Sequence, residues 1–436
     1  MKHTIFALAS AQGRAGLSVI RLSGPQALWA AQQLSPRTFV PRRATYTALS
    51  HQDEIIDQVV VVWFEGPHSF TGEDCVELHV HGSRAVLDRI YAILISLGLR
   101  LAEPGEFSRR ALENGKLDLT QAEAIADLVD AESEAQRRQA LTQLDGGLKA
   151  QYETWHADLI DILARIEVFI DFPDEDLPNE LVDSILDRIA RLEARLADAI
   201  ADARRGRQIR EGYRIVILGE PNAGKSSLFN VLLKAETAIV TPIAGTTRDT
   251  IEAQFRIGPY SVLLYDTAGL RETEELVERE GIRRALAKAE QADLRIWVVD
   301  NSRPLPADMD IRGDDILVLN KADLQSAGQG VSRETLTFAV STLTGSGLDH
   351  LVTGIEAHVS EALSVQTFPA ATRQRHVDRL DDARLHLADA LQSRLRVPEL
   401  TAEHVRAAVN SFEALFGRYD IEGVLDVVFS TFCIGK

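Results

Sequence analysis

Tyr213-Arg-Ile-Val-Ile-Leu-Gly-Glu-Pro-Asn-Ala-Gly-Lys225-Ser226-Ser227-Leu-Phe-Asn-Val-Leu-Leu233 is the stretch that decides the fold. It opens as an apolar strand, YRIVILG, and closes as a helix, SSLFNVLL. Between them Gly219 to Ser226 matches the spacing GxxxxGK[ST]. A strand, a glycine-rich loop and a helix N-terminus in that order form a cradle for phosphates. The backbone around Asn222, Ala223 and Gly224 can wrap the anion, Lys225 can reach the β and γ oxygens, and the Ser226 hydroxyl, followed by Ser227, can bind Mg²⁺. A glycine-rich turn that binds nothing does not need this context.

Working downstream, SVLLYD (Ser261–Asp266), LRIWVVD (Leu294–Asp300) and DILVLN (Asp315–Asn320) read as strands separated by helical patterns. Such alternation implies a mostly parallel sheet covered on both faces. Asp266-Thr267-Ala268-Gly269 ends one strand, placing a carboxylate at the Mg²⁺ shell and a glycine beside the γ-phosphate. Asn320-Lys321-Ala322-Asp323 ends another. The Asp323 carboxylate can accept both the N1–H and the N2 amine of guanine, which adenine does not present, so GTP is favoured over ATP. In this order the motifs resemble the G domain of small GTPases. The loop Thr241-Pro242-Ile243-Ala244-Gly245-Thr246-Thr247 has the character of a switch, and Thr247 can complete the Mg²⁺ shell. Leu270 follows the DTAG motif and cannot polarise water, so hydrolysis needs help from elsewhere. Ser341-Thr342-Leu343 stands where an SA[KR] loop is expected and leaves the last contact to the base open.

Upstream, the chain to about Lys116 mixes short strands (Thr4–Ser10, Leu17–Gly24, Asp74–Gly82) with turns, an α+β pattern. From Thr120 the period becomes helical, opening on a possible capping box Thr120-x-x-Glu123. Leu181, Ile185, Ile189, Leu192, Leu196 and Ile200 then share one face, and Leu380, Ala383, Leu387 and Leu391 form a second stripe. The expectation is a multidomain chain: an N-terminal α+β domain (1–117), an all-α helical domain in two pieces (118–211 and 360–436), and an inserted α/β Ras-like P-loop domain (212–359).

With 436 residues, 45% hydrophobic and 26% charged, the chain can bury several cores. The 47 Lys and Arg against 65 Asp and Glu leave a net charge of −18, which argues against a protein that grips RNA mainly through phosphates. Two cysteines, Cys75 and Cys433, provide no disulfide framework and suit a reducing cytoplasm. There is no apolar run of membrane-spanning length and no signal-peptide pattern. His79 and His81 alternate with apolar residues and lack a third ligand at metal spacing, so they read as structural.

The flanks resemble the MnmE/TrmE family of Era-like tRNA-modification GTPases over essentially the whole chain. The matching stretches are Ile20–Pro25, Ser69–Gly82, Pro104–Ala131, Ile170–Asp176, the G motifs and the terminal FCIGK (Phe432–Lys436). The resemblance implies a homodimer that hydrolyses GTP with Mg²⁺ and K⁺, K⁺ being held by Asn222, Thr241, Ile243 and Thr246. It implies that Glu278 orients the attacking water, although read alone Glu278 is one acid of a charged run. A tetrahydrofolate derivative, 5,10-methylene or 5-formyl, would be recognised by Arg21, Glu77, Lys116 and Lys436. Read alone, Arg21 and Glu77 are equally a solvated cross-strand pair. A flavoprotein of the MnmG/GidA type, carrying the FAD, would be the partner in adding an aminomethyl or carboxymethylaminomethyl group to C5 of the tRNA wobble uridine, with tRNA engaged through the complex. The competing reading is an Era-like regulatory GTPase switch that docks a partner without group transfer.

Overall fold

The computed structural model describes the chain apart from residues 1–2, 172–178, 236–250, 267–289, 307–308, 325–334, 365–367, 419–424, 426–427, 431, 433–434 and 436. The chain is multidomain and divides into two compact units. One comprises 1–126, 143–193 and 382–436, the other 127–142 and 194–381.

In the first unit, β1 (Ile5–Leu8), β2 (Ala15–Ser23), β3 (Thr45–His51), β4 (Glu54–Phe64), β5 (Cys75–Gly82) and β6 (Arg100–Leu101) form a sheet of order β3-β4-β5-β2-β1-β6. All neighbours are antiparallel except β1 and β6. Alternation along β2 and β5 sends Ile20, Leu22, Val76 and Leu78 to the core shared with α1 (Ala27–Leu34) and α2 (Arg84–Ser96). The opposite face carries Ile5 and Ala7 against Phe107 of α3 (Glu106–Glu113). The same unit holds α6 (Gly147–Asp171) and α11 (Pro398–Phe416), joined by an aromatic cluster. Tyr152 stands edge-on to Phe412 and Phe416 at ring separations of 6.2 and 6.3 Å.

The capping box lies two residues earlier than the sequence pattern suggests. Helix α4 (Leu119–Asp130) is capped by Asp118, whose carboxylate accepts from the Gln121 amide at 2.9 Å, while the Gln121 side chain accepts from the Asp118 N–H at 3.1 Å. Thr120 is already inside the first turn, buried, and donates to Asp118 at 2.6 Å. The stripe on α10 (Gln374–Ser393) is also shifted, Ala390 being buried where Leu391 is only half-buried.

The second unit contains the sheet β12-β11-β10-β7-β9-β8, built from β7 (Tyr213–Leu218), β8 (Ile251–Ile257), β9 (Tyr260–Asp266), β10 (Leu294–Asp300), β11 (Ile316–Asn320) and β12 (Leu336–Ala339). All pairs are parallel except β8 with β9. β7, β10 and β11 are buried almost residue by residue, as strands covered on both faces must be. Strand order reverses at β7, so the loop leading into α8 (Lys225–Ala235) opens at the topological switch point, and α9 (Leu348–Leu363) follows β12. Beside this sheet, α5 (Glu134–Leu144) uses buried amides as donors: Gln136 and Gln139 each donate at 3.0 Å to carbonyls of α7 (Asn179–Glu211), those of Arg210 and Gly206.

A buried ion pair locks the sheet behind the loops. Arg295 gives Asp315 two bonds, at 2.9 and 2.6 Å, and Asp315 also accepts from Trp297 Nε1 and the Arg312 amide. Their side chains are 7% and 4% exposed. Removing one partner strands the other in a low-dielectric site at a cost of ~3–5 kcal/mol. Asp315→Ala is therefore expected to lower the urea midpoint of the second unit markedly, read by circular dichroism, whereas a change within ~0.5 kcal/mol would show the pair to be energetically idle.

Candidate functional site

The loop after β7 takes its shape from three residues with positive φ: Gly219 (140°), Asn222 (64°) and Gly224 (101°). At Gly219 and Gly224 the requirement is also steric. A Cβ would stand 2.1 Å from the Val298 carbonyl in the first case and 2.0 Å from Asn320 Nδ2 in the second. Lys225 is 8% exposed, and its ammonium donates to the Gly219 and Glu220 carbonyls at 2.8 Å each. Ala223 is buried, while Ser226 and Ser227 are exposed in the first turn of α8. The loop thus presents backbone amides, an ammonium and hydroxyls around one helix N-terminus, a ready anion site.

The far side of this site is tied to it directly. Asn320, at the end of β11, donates to the Ala223 carbonyl at 2.8 Å and accepts from the Thr342 amide at 3.2 Å. Asp323 accepts from the Ser341 hydroxyl at 2.5 Å, and that hydroxyl in turn accepts from the Thr344 amide at 3.2 Å. The segment Ser341-Thr342-Leu343 is therefore held in place by its backbone and by one hydroxyl, with Leu343 86% exposed. Lys321, at φ 62°, donates to Asp300 at 2.6 Å. That bond, with those from Ser302, pulls the Asp300 carboxyl down to about 2. Lys225, Asn222, Ala223, Gly224, Asn320 and Asp323 are thus drawn together from separate strand ends. Asp266 closes β9 beside Ile217 of β7. Thr241, Pro242, Ile243, Ala244, Gly245, Thr246, Thr247, Thr267, Ala268, Gly269, Leu270 and Glu278 lie outside the described residues.

The first unit contains a second candidate site. Arg21 of β2 is the register partner of Glu77 of β5, and its guanidinium donates twice to one carboxylate oxygen, at 3.1 and 2.9 Å. Both side chains are about one-fifth exposed. The guanidinium also lies 5.3 Å from the Phe70 ring centre and 5.8 Å from that of Phe107. The charges are therefore paired and partly walled by aromatic rings, unlike a fully solvated surface pair. Lys116 lies along the loop carrying Phe70, where a Cβ at Gly72 would meet Lys116 Cε at 3.3 Å. Gly435 packs so closely on β1 that a Cβ there would stand 2.1 Å from the Leu8 carbonyl, and Leu8 pairs with Ile20, next to Arg21. Lys436 and Cys433 lie outside the described residues. His81 Nδ1 donates to the Asp57 carboxylate at 2.7 Å, and His79 lies 3.4 Å from Glu77.

The sequence pattern did not single out Arg110. It is 5% exposed and donates to Glu73 and Glu106 at 2.9 Å and to the His3 carbonyl at 2.8 Å. Ser23 donates to the same Glu73 at 2.8 Å, so Arg110 anchors the loop that presents Phe70 to Arg21. The spacing Glu106 to Arg110 on a helix was the available signal, but such pairs are ordinary on solvated faces.

Comparison with known proteins bears on both sites. The model of the MnmE helical domain matches residues 119–433, and that of the GTP-binding protein TrmE N-terminus matches residues 4–116. The tRNA modification GTPase MnmE of Caulobacter vibrioides is 49% identical over 100% of both chains. Those of Granulibacter bethesdensis and Parvibaculum lavamentivorans are 46% and 47% identical, again over 100% of both. Among solved structures, the G domain of the T. maritima FeoB iron transporter covers 34% of this chain and 98% of its own at 24% identity, with a TM-score of 0.24, too weak a likeness to bear on the fold.

Proposed function

The chain belongs to the MnmE family of tRNA modification GTPases and hydrolyses GTP in that setting, and on this premise we propose that it is the K⁺-stimulated, folate-binding component of a wobble-uridine modification complex. In this reading 1–117 receives the tetrahydrofolate derivative, 118–211 with 360–436 forms the helical domain, and 212–359 hydrolyses GTP. Arg21 and Lys116, with Lys436, meet the carboxylates of a glutamyl tail, and Glu77 meets pterin N–H groups. Ser226 and Thr247 bind Mg²⁺. Asn222 with Thr241, Ile243 and Thr246 holds K⁺, and Glu278 orients the attacking water. A second copy of the chain and an FAD-carrying flavoprotein of the MnmG type complete the assembly in the cytoplasm, and tRNA enters through it. None of the helices among the described residues is long and apolar enough to cross a membrane.

The observation that carries this reading over a regulatory switch is the paired Arg21 and Glu77 beside two aromatic rings, with the C-terminal Gly435 packed on the adjacent strand. A switch that only docks a partner has no use for it. The test is the modified-nucleoside profile of bulk tRNA from cells lacking the protein. We expect C5-aminomethyl-type wobble uridines to vanish and to return with the native gene, but not with Arg21→Ala or Asp266→Ala copies. Purified Arg21→Ala is expected to keep its GTP turnover. An unchanged profile would transfer the weight to the switch.

The K⁺ assignment has its own check. GTP turnover is expected to fall at least tenfold when Na⁺ replaces K⁺ at equal ionic strength, because the smaller ion does not span the same ligands. Equal rates would remove K⁺ from the mechanism.

A further inference from the structure

Helices α10 and α11 are joined by the four residues 394–397, so the chain reverses and their faces meet. His386 stands seven positions before the end of α10, and His404 six positions after the start of α11. At 1.5 Å rise per residue, both are ~10 Å from the turn and therefore level with each other. Asp389 follows His386 by three positions, on the same helical face. One ligand atom from each of the three lies within 4.8 Å of the others, and the two rings are 6.5 Å apart, tilted by 32°. Among the described residues, none of the three side chains makes a hydrogen bond or ion pair.

We propose that His386, Asp389 and His404 form a site for a divalent transition-metal ion, Zn²⁺ by preference, that clamps α10 to α11. Two imidazoles and one carboxylate are a donor set suited to Zn²⁺ and poorly suited to Mg²⁺ or Ca²⁺, which take oxygen ligands. A tetrahedral ion ~2.0–2.1 Å from each donor needs those donors about 3.3 Å apart. The three must therefore close by roughly 1.5 Å at most, a movement that side-chain rotation supplies. The helices themselves need not move. Leu387, Ala390, Ala402 and Val405 are fully buried in the packing beneath the cluster, and Ser393 and Thr401 share a hydrogen bond of 2.5 Å across the turn. The two histidines are half-buried and Asp389 is exposed, so the ion has an entry path and a water can take the fourth position. This site belongs to neither the nucleotide loop nor the Arg21 face, and its role is structural.

The test uses the full chain, stripped with a chelator and titrated with Zn²⁺ against a competing indicator, with Co²⁺ as a spectroscopic stand-in. The native chain is expected to bind one more Zn²⁺ than either His386→Gln or His404→Gln. Asp389→Asn should bind it at least tenfold more weakly. Zn²⁺ should raise the melting temperature of the native chain by a few degrees and leave that of the two histidine variants unmoved, while GTP turnover stays the same in all of them. Circular dichroism of the metal-free variants verifies that they fold. Equal stoichiometry and affinity in the native chain and both histidine variants would overturn the proposal, as would Co²⁺ spectra that the substitutions leave unchanged.

Discussion

Lys225→Ala is expected to lower GTP turnover by roughly 10³-fold, the loss that follows removal of a preorganised charge aimed at transferring phosphate oxygens. The structure gives the reason for so large an effect. Lys225 is almost wholly buried and its ammonium is bonded to the Gly219 and Glu220 carbonyls, so the charge is held in place inside the phosphate loop. Alanine removes the charge and frees those carbonyls to face the incoming phosphate, where their dipoles repel it. Lys225→Arg should not rescue, because a planar fork on a longer stem cannot make the same two close bonds inside the loop. Stopped-flow binding of a fluorescent guanine nucleotide, run beside phosphate release, separates affinity from catalysis. Turnover within twofold of the native rate would remove Lys225 from the reaction.

Asp323→Asn is expected to weaken GTP binding by about 10²–10⁴-fold, the equivalent of two bonds to a charged acceptor at ~1.5–3 kcal/mol each. The same change should improve binding of xanthosine triphosphate, whose C2 carbonyl accepts where guanine's amine donates. This reciprocal gain identifies the effect as base recognition and not misfolding, since the Ser341 hydroxyl can donate to an amide oxygen as it does to the carboxylate. Equal loss of both nucleotides would mean that Asp323 serves only to hold the Ser341 loop.

The phosphate loop was readable because its chemistry is contiguous: eight successive residues supply the glycines, the lysine and the hydroxyl, and the flanking periods declare the strand and the helix. The nearly uninterrupted apolar runs of β7, β10 and β11 announced a sheet covered on both faces for the same reason. Other features needed the folded chain. The Asn320 bridge to the Ala223 carbonyl joins residues 97 positions apart, and nothing in NKAD alone shows that its asparagine braces the phosphate loop. The Thr120 pattern fitted a capping box, yet Asp118 and Gln121 form it, because which residue starts a helix depends on which side chain can reach a bare amide, not on spacing alone.

The sequence by itself therefore determined the nucleotide loop, the order of the G motifs, the α+β and helical flanks and the family, all of which depend on local periodicity or on contiguous residues. Only the tertiary structure decided that Arg21 is paired and walled by Phe70 and Phe107, that Arg110 anchors the loop carrying Phe70, and that His386 and Asp389 face His404 on the next helix. Local pattern fixes where a side chain sits on its own helix or strand. Which side chains meet is set by where the buried cores make the chain turn back, and that is a property of the whole packed unit.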